Sequence, residues 1–124
     1  LLHSALGLCY VSFFDSAQLR AMVDEALAIN ARGEDTRAPI TRAQLETLVA
    51  EARKRGLSRV TGSVLPGINA FAAPVFNHDG TMALAFAGLG PAGLVPADWN
   101  GSLPQAIKAA AESASLRLGW HGAR

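Results

Sequence analysis

Ile68-Asn69-Ala70-Phe71-Ala72-Ala73-Pro74-Val75-Phe76, followed by Asn77-His78-Asp79-Gly80-Thr81 and Met82-Ala83-Leu84-Ala85-Phe86-Ala87-Gly88-Leu89, is the stretch on which the fold turns. Two apolar runs around a short polar segment with Asp79-Gly80 predict a β-hairpin. If Phe76 and Thr81 flank a four-residue loop, antiparallel pairing sets Ala72 opposite Ala85 and Ala70 opposite Ala87, all on one face. Pro74 has no N–H for a ladder, so the first strand should be irregular there or lie near an edge. A face of methyl groups either receives a closely packed helix or leaves a hollow that a small molecule fills. Phe71, Val75, Met82, Leu84 and Phe86 are bulky enough to fill the space beside or behind it.

Working upstream, Pro66-Gly67 marks a turn, and from Leu57 the pattern alternates, Val60, Gly62 and Val64 against Arg59, Thr61 and Ser63, as in a strand. Before it stands the best-signalled helix. Thr41 and Gln44 form a capping box, Ile40 and Leu45 a hydrophobic staple, and Leu45, Leu48, Val49 and Ala52 a buried stripe. Arg53-Lys54-Arg55 complement the carbonyl end of that helix, and Gly56 can adopt the left-handed stop. Across the polar loop 32–39, an earlier helix carries Leu19, Met22, Val23, Ala26 and Leu27 at helical spacing. Asp15 with Gln18 predicts its cap, Phe14 with Leu19 its staple, and Asn30 to Gly33 its end. Ser4 to Phe14 is apolar on nearly every side, which predicts a short buried helix.

Downstream, 90–101 reads as a loop, and Ser102 is the expected cap of a last helix whose first turn tolerates Pro104. Leu103, Ile107, Ala110, Ala111, Ala114 and Leu118 point inward, Lys108 pairs outward with Glu112, and Gly119 ends the helix. Helices, then antiparallel strands, then a helix make an α+β domain.

Composition narrows the function. The 124 residues fit one domain, 1–124. Half are hydrophobic and 17% are charged, below the roughly 25% usual in globular domains. This apolar surplus predicts a buried oligomer face, a ligand cavity or a neighbouring segment. Eleven basic and ten acidic residues nearly cancel, which disfavours direct contact with nucleic acid. Cys9, as the single cysteine, forbids an internal disulfide and fits a reducing, cytoplasmic setting. No apolar stretch reaches the roughly 18 residues of a membrane span, so no membrane partner is expected. Leu1 is not an initiator methionine and no basic region precedes the apolar opening, so the start reads as an internal boundary rather than a signal peptide.

Leu2-His3-Ser4-Ala5-Leu6-Gly7 before an apolar helix, Gly56 after an Arg/Lys-rich helix end, the block Pro66 to Phe76, Asp79-Gly80, Gly90-Pro91 and a closing Leu118-Gly119 together resemble the C-terminal effector-binding domain of the IclR family of bacterial transcription regulators. The block from Pro66 to Phe76 is the most specific part. The resemblance implies a GAF-like antiparallel sheet flanked by helices, here lacking the first strands of the family domain. It further implies a small-molecule pocket between sheet and helices, and an upstream winged helix-turn-helix through which alone operator DNA would be bound. Effector binding would then control DNA binding allosterically, in a homodimer or tetramer. By motif position the effector would touch Ser4, Ala5, Leu6, Val60, Ala70, Ala87 and Leu89.

This chain departs from the family pattern in offering few polar groups, with Val60, Thr61, Gly62 and Ser63 where acidic residues often occur. The effector is therefore expected to be apolar or aromatic, or a small organic acid whose carboxylate is held by main-chain N–H groups near Ser4 to Gly7. His3 is either a donor at the pocket mouth or a surface or capping residue, and His78 is expected in solvent. Cys9 reads as inert core. Trp99 and Trp120 flank the last helix, as packing residues or as anchors of a dimer face. No catalytic constellation, metal-ligand spacing or cofactor motif is present, so no catalytic residue, metal or cofactor is expected. Two alternatives remain: a GAF-like thiol-dependent enzyme using Cys9, and a purely structural dimerisation domain.

Overall fold

The helices and strands occur in the predicted order. The computed structural model describes residues 3–31, 40–61 and 67–120. Helices α1 (Ala5–Phe13), α2 (Ala17–Ala31) and α3 (Arg42–Arg55) precede strands β1 (Ser58–Val60), β2 (Ile68–Phe76) and β3 (Met82–Pro91), and α4 (Ser102–Arg117) closes the chain. The expected loop 32–39 and the strand positions Gly62, Ser63 and Val64 lie outside the described residues.

Local chemistry explains most boundaries. Thr41 Oγ1 accepts from the Gln44 N–H while the Gln44 side chain accepts from the Thr41 N–H, as the capping box requires. At the other end Gly56 takes φ +80° and its N–H donates to the Ala52 carbonyl, the left-handed stop that a side chain would strain. Two caps fall one residue away from expectation. Ser16, not Asp15, caps α2, its Oγ accepting from the Leu19 N–H, and Asp15 pairs with Arg20 instead. Gly101 precedes α4 with no side-chain cap, so Ser102 is already helical.

The sheet is antiparallel in the order β1-β2-β3. Its hairpin register differs from the expected one. Ala72 stands opposite Ala87 and Ala70 opposite Leu89, because the loop runs over 77–81 and a bulge interrupts the ladder between Val75 and Phe76. Each irregularity adds one residue, and a shift of two returns every side chain to its original face. Ala70, Ala72, Ala85, Ala87 and Leu89 therefore still share one side.

Pro74 lies in the central strand, but where one edge is bare among the described residues: β1 pairs there with Ala70 to Ala72 alone. Proline has no donor to lose there. The Phe76 N–H, on the same bare stretch, donates to the buried Ser115 Oγ at 2.9 Å.

Apolar side chains fill both sides of β2. On one, α1 packs with Val60, Ala70, Ala72 and Met82; on the other, Phe71, Ala73 and Val75 meet Ile107 and Ala111 of α4. Gly88 lets α4 come close, since a Cβ there would stand 2.9 Å from Ile107 Cδ1. The expected inward face of α4 holds for Leu103, Ile107, Ala111 and Ala114, whereas Ala110 and Leu118 are exposed. Lys108 does not pair with Glu112; its Nζ donates to the Arg55 carbonyl and caps α3. Both tryptophans pack within the fold: Trp120 on Phe76, and Trp99 edge-on to Phe71 and under the Arg59 guanidinium. No helix among the described residues is long and apolar enough to cross a membrane.

Candidate functional site

Ser4 places the start of α1 over the sheet. Its Oγ accepts from the Gly7 N–H at 2.9 Å and its carbonyl from the Leu8 N–H, a complete N-cap. Ala5, Leu8, Cys9 and Ser12 form the buried side of the helix. Ser58, fully buried in β1, donates from Oγ to the Ala5 carbonyl at 2.6 Å, and the Ala72 carbonyl lies 3.3 Å away. One hydroxyl thus joins the first turn of α1 to the strands beneath it. The alternation of Val60 with Arg59 and Thr61 marks a strand, but nothing in the pattern marks Ser58 as this anchor.

Small side chains make the close approach possible. Ala72 is 0% and Ala70 4% exposed, with Ala5 and Val60 equally covered. Close packing therefore prevails over β1 and β2. Over β3 the same face opens: Ala87 is exposed, Leu89 is 68% exposed, and Leu6 on the outer side of α1 is 44% exposed. The seven expected site residues therefore divide. Ala5, Val60 and Ala70 share one core cluster, Ser4 is an exposed cap, and Leu6, Ala87 and Leu89 lie outside the core. Two clefts, of about 580 and 620 Å³, lie elsewhere, and none of the seven lines either.

Electrostatically the α1 side of the sheet is bland. Its side chains are aliphatic and aromatic, with Met82, hydroxyl groups and the Cys9 thiol. His3 is buried at 3% exposure, which removes the surface position from the alternatives left open for it, while His78 is exposed as expected. Cys9 is inert core. Burial pushes its thiol up to about 12, against a partial pull downward from its hydrogen bond with Ser58. A thiol so protonated and so enclosed is a poor nucleophile, which weighs against the enzyme alternative. Among the described residues no group of three His, Cys, Asp or Glu stands ready for a metal ion.

Comparison with known proteins gives this geometry a context. The family model described as "Bacterial transcriptional regulator IclR C-terminal" matches residues 1–116. Among solved structures, the chain is similar to Pseudomonas aeruginosa HmgR, with 28% identity and a TM-score of 0.80 over 98% of this chain and 46% of that one. A putative IclR transcriptional regulator from Silicibacter sp. TM1040 is 25% identical, with a TM-score of 0.72 over 98% of this chain and 47% of that one. The C-terminal domain of the Escherichia coli transcriptional regulator KdgR shares the fold at 18% identity, with a TM-score of 0.69 over 96% of this chain and 71% of that one. This chain thus spans less than half the length of the first two. No curated protein matches it by sequence. With the α+β order, the antiparallel sheet and the match over residues 1–116 in agreement, the chain belongs to the family of C-terminal domains of IclR-type bacterial transcriptional regulators.

Proposed function

We propose that residues 1–124 are the effector-sensing part of a longer transcription regulator, in which a small organic molecule changes how an upstream winged helix-turn-helix meets operator DNA. The observation that carries this reading is the small-residue face of the sheet. It is packed under α1 at Ala70 and Ala72 and open at Ala87 and Leu89, and Leu6 of α1 is exposed as well. An apolar or aromatic body would rest on Ala87 and Leu89. A carboxylate, if present, would turn to the main-chain N–H groups of Ala5 and Leu6, because the Gly7 N–H is already taken by Ser4. Binding there presses α1 against β2 and so favours one arrangement of a dimer or tetramer over another.

A thermal-shift series over aromatic monocarboxylates, their uncharged analogues and small dicarboxylates tests the proposal. An effector at a hundred times its Kd stabilises by about 2.7 kcal/mol. The expected result is stabilisation by an aromatic compound that disappears in Ala87→Trp, which fills the open shelf. Stabilisation by oxalate-like dicarboxylates alone would contradict the apolar version. No response across the series, with dimerisation intact, would favour a purely structural dimerisation domain.

A further inference from the structure

We propose a second ligand site, for an aromatic carboxylate, in the cleft at the bare end of the sheet. Because β1, among the described residues, starts its pairing at Ala72, the end of β2 from Ala73 to Phe76 is flanked by the end of α3 and by α4 instead of by β1. The resulting cleft has a volume of about 580 Å³, within the range of roughly 300–1,000 Å³ usual for small-molecule sites.

Its chemistry is two-sided. Pro74, Phe76, Leu116 and Trp120 supply an apolar wall, in which the Phe76 and Trp120 rings meet with centroids 4.6 Å apart and Leu116 is 57% exposed. Arg53, Lys54, Arg55 and Lys108 bring four positive charges to the rim, against the single lining carboxylate of Glu112. Three of the four are already engaged: Arg53 Nε donates to the Ser12 carbonyl, Arg55 pairs with Glu51, and Lys108 donates to the Arg55 carbonyl. Lys108 also offsets the negative pole of α3, which would otherwise repel an anion. Lys54 is exposed and has no hydrogen bond or ion pair among the described residues.

A chain whose formal charge is only +1 thus gathers cations beside aromatic carbon. That combination suits a ring lying against Phe76 and Trp120 with its carboxylate turned to Lys54 and the free guanidinium nitrogens of Arg53. A purely inorganic anion would leave the apolar wall wet, and a neutral ring would leave the rim unused.

The probe is 2-naphthoate, with 2-naphthalenemethanol as its uncharged counterpart, followed by NMR shifts of the Trp120 indole. Saturable shifts with 2-naphthoate are expected, weaker with the alcohol and in high salt. Lys54→Glu should weaken binding roughly tenfold, the equivalent of about 1.4 kcal/mol, without lowering Tm. Ala87→Trp, which blocks the α1 face, should leave the Trp120 response unchanged, so the two sites fail separately. Equal binding of acid and alcohol, an unaltered affinity in Lys54→Glu, or a Trp120 signal that moves only with duplex DNA would overturn the proposal.

Discussion

Native Cys9 should react with iodoacetamide at least about a thousandfold more slowly than an ordinary thiol. Its side chain is 0% exposed, and desolvation lifts the pKa from 9.0 to about 12. At any pH well below 9 each unit of that rise reduces the thiolate tenfold, so three units leave about a thousandth of the usual reactive form. Burial adds a second barrier, since the reagent reaches the sulfur only when α1 lifts from the sheet. Mass spectrometry of quenched time points follows the reaction, with the chain in guanidinium chloride giving the rate of the exposed thiol. The sign of the pH effect on stability follows from the same shift. The folded state keeps the thiol proton between pH 9 and about 12 where the unfolded chain releases it, so stability falls as pH rises through that window, and less so in Cys9→Ala. Native labelling within tenfold of the denatured rate would refute the reasoning and reopen the thiol-enzyme alternative.

Two further substitutions probe the packing. Gly88→Val places side-chain atoms where Ile107 Cδ1 would already stand 2.9 Å from a Cβ, and overpacking of this kind costs about 1–3 kcal/mol. An unfolding entropy of roughly 2.1 cal/mol/K per residue turns about 2 kcal/mol into a Tm lowered by about 8 °C. Ile107→Ala should absorb much of that penalty in a double-mutant cycle, and purely additive effects would show that α4 does not press on β3. On the α4 side of β3, Leu84 and Phe86 are 42% and 38% exposed, beside an edge that is unpaired among the described residues. The chain should therefore self-associate, and Leu84→Lys should shift light-scattering mass towards the monomer. Unchanged mass would point to another contact.

The departures from the expected geometry share a cause. The capping box of Thr41 with Gln44 and the stop at Gly56 involve residues within a turn of each other, so their chemistry is readable along the chain. The cap of α2 falls on Ser16 rather than Asp15, because both residues satisfy the same local rule and Asp15 finds Arg20. Hairpin register depended on a bulge that no residue announces. Even so, the alanines kept their common face, because the error was an even number of residues.

What the sequence by itself determined is the periodic and short-range part: element order, the α+β class, the inert Cys9, and the alanines that share one face of the sheet. Only the tertiary structure decided that Ser58 anchors α1, that His3 is buried, that Lys108 caps α3 rather than pairing with Glu112, and that a basic, aromatic cleft opens where β1 stops. Each of these depends on groups far apart in sequence, as with Arg55 and Lys108, 53 positions apart. Periodicity tells which side of an element turns inward, but not which distant element meets it there.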